Sequence, residues 1–368
     1  MIEIAEPVER AFLVGAPRRG TPDAVHAEEH LEELARLADT AGAQVVGRLI
    51  QRIDAPNPRQ YLGEGKLEEL RIEMAAAKAT LLVFDDELSP AQGKNLEKEL
   101  DCRIMDRAEL ILDIFASRAK SKEAKLQVEL AQLEYLLPRL ARMWVHLSRI
   151  RGGIGLRGPG ETQIETDRRM IRRKISTIKR KLEDVSRHRE VIRRGRRPVL
   201  TAALVGYTNA GKSSLLTALT GEKTFVEDRL FATLDTLTRE AALNGRGRVR
   251  LVDTVGFIRK LPHHLVASFR ATLEEATHSD ILLHVVDASH HDWEEHVEVV
   301  DEVLRTLDLD APQVTHVFNK LDLVPDPEAF AARVRARYPE AVCVSALRGE
   351  VGELEERLVG AAGERLGG

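Results

Sequence analysis

Gly206-Tyr207-Thr208-Asn209-Ala210-Gly211-Lys212-Ser213 decides the reading of this chain. The octet fits the phosphate-loop pattern G-x-x-x-x-G-K-[ST] at every fixed position. An apolar run, Pro198 to Val205, leads into it, and a helix-like run, Ser213 to Leu219, leads out. Strand, glycine loop and helix in that order let successive backbone N–H groups point at phosphate oxygens. In that setting Lys212 reaches the outer phosphates and the Ser213 hydroxyl ligates Mg²⁺. A glycine-containing turn could match by chance; the flanking strand and helix argue against it.

Four more segments follow in the order a GTPase requires. Asp253-Thr254-Val255-Gly256 closes an apolar strand, Val249 to Val252. There Asp253 can hold a Mg²⁺-bound water and the Gly256 N–H can meet the terminal phosphate. Asn319-Lys320-Leu321-Asp322 closes a second strand, Val314 to Phe318. A carboxylate at Asp322 can accept two hydrogen bonds from guanine, whereas adenine would leave it unpaired. Sites built on such pairing reject the wrong partner by on the order of 10⁴-fold. Ser345-Ala346-Leu347 follows a third strand, Ala341 to Val344, and touches the base from its other side. Phe231-Ala232-Thr233-Leu234-Asp235 falls where a mobile switch belongs, with Thr233 as the second protein ligand of Mg²⁺; Thr236 and Thr238 stand close by. Singly, each string is an ordinary turn or strand exit. Five in order, four of them at strand ends, place GTP or GDP and Mg²⁺ at the carboxyl ends of parallel strands. Lys212, Thr233 and Gly256 are then the catalytic candidates.

Many GTPases carry glutamine just after Asp-x-x-Gly to orient the attacking water. Phe257 stands there in this chain. A phenyl ring cannot hold water by a hydrogen bond, so slow intrinsic hydrolysis and stimulation by a large RNA or protein partner are expected.

At 368 residues, two or three domains are expected. The 43% apolar fraction permits ordinary cores, and 4% aromatics make base-stacking platforms a minor theme. No apolar run has the length of a membrane span and no secretory signal opens the sequence, so a cytoplasmic protein is expected. Cys102 and Cys343 lack metal-ligand spacing and read as buried thiols.

The net charge of −4 conceals an asymmetry: residues 139–197 carry 19 Arg or Lys against 6 Asp or Glu. Such a block reads as an electrostatic footprint for RNA, the alternative being a solvated helical face. Two apolar ladders flank its centre: Leu126, Leu130, Leu133, Leu137, Leu140, Trp144, Leu147, and Ile171, Ile175, Ile178, Leu182, Val185. Their alternating spacing of 4 and 3 is that of a coiled-coil seam. Pro138 is expected to kink the first helix without ending it. Between the ladders, Arg151 to Gly160 holds five glycines. The prediction is an antiparallel helical hairpin, each arm roughly 40 Å long, with a basic loop at its tip.

Up to about Ser117, strand-like runs (Arg10–Val14, Gln44–Ile53, Thr80–Phe84, Cys102–Met105) alternate with helix-like ones (Ala24–Ala41, Lys66–Lys78, Ala91–Leu100). That is a small α/β domain with a largely parallel sheet. Tyr61-Leu62-Gly63-Glu64-Gly65-Lys66 invites a second phosphate site, and a glycine turn before a helix explains it equally well. The expected layout is an α/β domain over 1–117, a helical hairpin over 118–197, and an α/β phosphate-loop GTPase domain with a mainly parallel sheet over 198–368.

These strings together resemble the HflX-type GTPases over essentially the whole chain. The resemblance rests on the phosphate loop, Leu230 to Asp235, Asp253 to Phe257, Glu123 to Leu133, Arg157 to Gln163 and Tyr61 to Lys66. It implies a cytoplasmic, GTP-dependent factor that binds the large (50S) ribosomal subunit, some members splitting stalled ribosomes under stress. The hairpin loop would then approach the peptidyl-transfer region of ribosomal RNA. An ATP-linked RNA-remodelling activity attributed to the amino-terminal part of some members finds no ATP motif in this sequence. Some relatives also carry a domain after the GTPase fold; here about twenty residues follow Leu347 and read as one helix, Leu354 to Leu366. Thr236-Leu237 departs from relatives with proline after the aspartate. A monomer is expected. The rival readings are an RNA-binding module in which nucleotide is only a structural or regulatory ligand, and an RNA-modifying GTPase. The latter would need a one-carbon site and a reactive cysteine, and neither is evident.

Overall fold

The structure, a computed structural model, describes residues 8–143, 159–194, 199–222, 230–243, 247–262, 265, 276, 278–306 and 313–367. The chain divides into two compact units, one of Met1–Ser117 with Val128–Lys181, the other of Arg118–Gln127 with Leu182–Gly368. Trp144, Leu147 and the glycine-rich loop from Arg151 through Gly158 lie outside the described residues.

In the first unit, β1 (Arg10–Gly15), α1 (Pro22–Val25), α2 (Ala27–Thr40), β2 (Gln44–Ile50), α3 (Glu64–Ala77), β3 (Leu81–Phe84), α4 (Pro90–Leu100), β4 (Arg103–Asp106) and α5 (Arg107–Arg118) alternate along the chain. The four strands form one parallel sheet in the order β2-β1-β3-β4. Parallel strands covered on both faces read as continuous apolar runs, and Leu81-Leu82-Val83-Phe84 is buried at every position. Ser89 starts α4 with a reciprocal capping box to Gln92 and Pro90 in the first turn. Arg107 is 2% exposed and pairs with Asp85 at 2.6 Å and with Glu33. Pairing is what makes burial of three charges tolerable.

Two long helices follow, α6 (Lys122–Met143), which continues through Pro138, and α7 (Pro159–Arg194). Lys174–Glu129, Lys179–Glu134 and Arg189–Glu123 ion pairs tie one to the other. Helix α7 therefore already includes Pro159 and Gly160, which the sequence reading gave to the loop; proline at the first helical position is well tolerated because its missing N–H has no partner there.

The second unit contains β5 (Leu200–Gly206), α8 (Lys212–Thr220), β6 (Leu237–Ala242), β7 (Arg248–Asp253), β8 (Ile281–Asp287), α9 (Trp293–Thr306), β9 (Gln313–Asn319), α10 (Pro327–Arg337), β10 (Val342–Cys343) and α11 (Gly352–Gly367). Its sheet runs β10-β9-β8-β5-β7-β6, parallel except for β6, which pairs antiparallel with β7 at the edge. Cores lie on both faces: Leu204, Leu215, Leu216, Val285, Val317 and Leu354 on one, Val286, Trp293, Phe318, Phe330 and Val334 on the other. Among the described residues no helix is long and apolar enough to cross a membrane. Cys102 and Cys343, expected as buried thiols, are free and only partly buried, because each packs at the margin of a core rather than inside it.

Candidate nucleotide site

The phosphate loop leaves β5 at Gly206 and enters α8 at Lys212. Gly211 adopts φ 90°, and a Cβ there would fall 2.3 Å from the Asn319 Nδ2 atom. Only glycine fits both demands. The Lys212 Nζ is fully buried and donates to the carbonyls of Gly206 at 3.1 Å and Tyr207 at 2.8 Å. Burial pulls its pKa down to about 8, against the opposing charge of Asp253.

Three oxygens converge beside it. The Ser213 hydroxyl donates to Asp253 Oδ2 at 2.7 Å and lies 2.8 Å from the Thr233 hydroxyl. Asp253 is fully buried and its Oδ1 has no hydrogen-bond partner. Burial raises its pKa, while Lys212, Ser213 and Thr233 pull the other way. An orphaned carboxylate oxygen beside two hydroxyls is a hard, all-oxygen donor set of the kind that suits Mg²⁺. Thr238, by contrast, sits on β6 opposite Val252.

Gly256 closes over the loop. A Cβ on it would fall 2.9 Å from Thr208 Cα and 3.0 Å from Lys212 Nζ, so the approach depends on its missing side chain. Phe257 is 2% exposed; its N–H donates to Gly206 and its carbonyl accepts from Thr208. Its ring thus packs inside while its backbone zips Asp-Thr-Val-Gly to the phosphate loop. Thr254 is likewise buried, donating to Leu204 at 2.7 Å. Thr208, Asn209, Gly211, Lys212, Ser213, Phe231, Ala232, Thr233, Thr254 and Gly256 line one cavity of about 50 Å³. Phe231, in the wall of this cavity, is buried and adopts φ 54°.

The candidate base-reading segments lie at the tips of β9 and β10. Asn319 donates to Ala210 and accepts from the Ala346 N–H, both at 3.0 Å, splinting the phosphate loop to Ser345-Ala346-Leu347. Ser345 donates to Asp322 Oδ1 at 2.6 Å, which aims the carboxylate. Lys320, in the left-handed region at φ 63°, pairs with Asp287 at 2.6 Å. Leu321 opens a short 3₁₀ turn, and Leu347 is 84% exposed.

Family models described as "GTP-binding GTPase N-terminal", "GTP-binding GTPase Middle Region" and "50S ribosome-binding GTPase" match residues 28–116, 118–196 and 201–320. "GTPase HflX" of Escherichia coli (strain K12) is 46% identical over 342 residues, spanning 92% of this chain and 80% of that protein. "GTPase HflX" of Lacrimispora saccharolytica is 52% identical over 324 residues, spanning 88% and 76%. The chain belongs to the HflX family of GTPases. It is a GTP hydrolase. A crystal structure of SsGBP in complex with GDP aligns with a TM-score of 0.53 at 25% identity, over 97% of this chain and 99% of that one. The α/β fold with a mainly parallel sheet is thus shared with a GTP-binding protein.

Two site features of this HflX-family chain were beyond sequence reading. Asp287, the partner of Lys320, belongs to β8, which carries no motif. Asp235, grouped by sequence with the nucleotide ligands, points elsewhere. Its carboxylate accepts from the Lys120 N–H at 3.0 Å and the Ser121 N–H at 3.2 Å, at the start of α6. Ser121 in turn caps that helix through Ala124. In the amino-terminal unit, Gly63 is the N-cap of α3 and Lys66 pairs with Glu69, so the Tyr61–Lys66 string forms a helix entry.

Proposed function

We propose that this protein is a Mg²⁺-dependent cytoplasmic GTPase that binds the large ribosomal subunit and splits or rescues stalled ribosomes. The observation that carries the coupling is the hydrogen bonding of Asp235, two residues after Thr233, to the Lys120 and Ser121 N–H groups that lead directly into α6. A segment that closes on the terminal phosphate at one end holds a hairpin helix at the other.

In the reaction, water attacks the γ-phosphorus, the bond to the β–γ bridging oxygen breaks, and GDP and phosphate leave. Lys212 and the phosphate-loop amides neutralise the charge spread over the phosphate oxygens. The Gly256 N–H fixes the terminal phosphate. Ser213, Thr233 and, through its free oxygen, Asp253 would hold Mg²⁺, which supplies further charge neutralisation when bound. Asp322, aimed by Ser345, selects guanine. Phe257 offers no polar atom to the attacking water, so turnover waits for a group or an ordering event supplied by the ribosome. The description of the matched 201–320 family as 50S ribosome-binding supports that partner, as does the excess of 19 basic over 6 acidic residues in 139–197.

Sedimentation tests the reading. The protein should travel with large subunits in a non-hydrolysable GTP analogue and remain free in GDP. Intact ribosomes should lose light scattering when protein and GTP are added together. Equal co-sedimentation in both nucleotides would remove the switch from the account.

A further inference from the structure

We propose that His284, His316 and Asp301 form a second metal site, for a zinc-class divalent cation, distinct from the nucleotide centre. The three residues are 17 and 15 apart in sequence and follow no ligand-spacing motif. Tertiary structure assembles them. Strands β8 and β9 pair in parallel with His284 directly opposite His316. The residues flanking His284 in β8, Leu283 and Val285, face the opposite core, so both imidazoles stand on the sheet face covered by α9. Helix α9 brings Asp301 over them.

The donors are poised and unspent. His284 is 1% exposed, and its Nδ1 has no hydrogen-bond partner. The buried Nε2 of His316 has none either. The nearest Asp301 oxygen is 3.6 Å from His284 Nδ1, too far for a hydrogen bond. A buried polar atom left unpaired in a native fold calls for a reason, and here two imidazole nitrogens and a carboxylate share one spot. One ligand atom from each residue lies within 4.8 Å of the others. Tetrahedral zinc bonds near 2.1 Å place ligand atoms roughly 3.4 Å apart, so the set needs a small contraction. Asp301, whose side chain is 40% exposed, has the freedom to make it and opens a path for the ion.

Other neighbours favour the same chemistry. The Tyr338 ring lies 4.2 Å from that of His316 and fixes its plane. Burial depresses both imidazole pKa values, that of His284 to about 3, which leaves the neutral, ligating form at pH 7. Two nitrogens and one oxygen suit zinc, cobalt or nickel and discriminate against the all-oxygen preference of Mg²⁺. A bound ion would staple α9 to the strands that end at Asp287 and Asn319, and so brace the guanine-reading tip.

The test uses the full chain, stripped with chelator and titrated with Co²⁺ in excess Mg²⁺. Expected is a single equivalent giving the intense visible absorption of tetrahedral cobalt, bleached by Zn²⁺. His316→Phe should abolish it and Asp301→Asn should weaken binding by about tenfold or more, while binding of a fluorescent GDP analogue reports that each variant is folded. Absence of tetrahedral absorption in the wild type, or its persistence in folded His316→Phe, would overturn the proposal.

Discussion

Replacing Asp235 by alanine removes the contact between the switch segment and helix α6 without touching a phosphate-facing atom. The carboxylate accepts from two backbone donors, the Lys120 N–H at 3.0 Å and the Ser121 N–H at 3.2 Å, in exposed surroundings. A charged acceptor at a helix start contributes about 1 kcal/mol and at most about 2 kcal/mol. That converts to about a fivefold and at most about a 30-fold change in an equilibrium constant. Linkage makes the effect reciprocal: whatever the triphosphate gains by ordering this segment, the helix start gains as well. Amide hydrogen exchange reads it directly. In wild-type protein the Lys120 and Ser121 amides should exchange about 5- to 30-fold more slowly in a GTP analogue than in GDP. Asp235→Ala should exchange at one rate in both nucleotides, and Asp235→Asn, which keeps an acceptor but not the charge, should fall between. Binding of a fluorescent GTP analogue, followed in parallel, shows whether the switch is loaded. Nucleotide-independent exchange in loaded wild-type protein, or full protection retained in Asp235→Ala, would refute the reasoning.

Four other outcomes follow from the structure. Burial holds Lys212 near 8 against an ordinary 10.5, so above pH 8 the free protein has lost the proton that a bound triphosphate restores; GTP binding should weaken with rising pH there, by up to about tenfold per unit, with proton uptake seen by calorimetry in buffers of different ionisation enthalpy. The same depression means that the unfolded chain holds the proton the folded one has released, so this residue adds stability as pH climbs from about 8 toward 10.5. Asp322→Asn should shift preference from guanosine toward xanthosine nucleotides, and unchanged selectivity in competition binding would end the role given to that carboxylate. Arg107→Ala removes the buried guanidinium that pairs with Asp85 and Glu33 and should cost about 3–5 kcal/mol, measured by urea denaturation followed by circular dichroism.

Legibility differed by element for physical reasons. The Gly206–Ser213 loop, Asp253–Gly256 and Asn319–Asp322 stood out as candidates because each is a short, contiguous string, and the structure has each at a strand end. Buried parallel strands such as Leu81–Phe84 announced themselves as apolar runs. Strand β6 did not: as a half-exposed antiparallel edge, Leu237–Ala242 carries the adjacent charges Arg239 and Glu240, which break the apolar run, and no phosphate-facing motif. Helix α6 was visible from its leucine ladder, yet nothing in that ladder showed that its first donors meet Asp235.

The sequence by itself determined the nucleotide, the order of the phosphate and guanine motifs, and the alternation of strand and helix, because each is written in neighbouring residues. Tertiary structure alone decided that Asp235 turns from the nucleotide to a helix start, that Asn319 splints the phosphate loop to Ala346, and that His284 meets His316 across paired strands. Those contacts join residues 27 to 115 positions apart, or set two strands in register, and separation of that kind leaves no mark on local sequence.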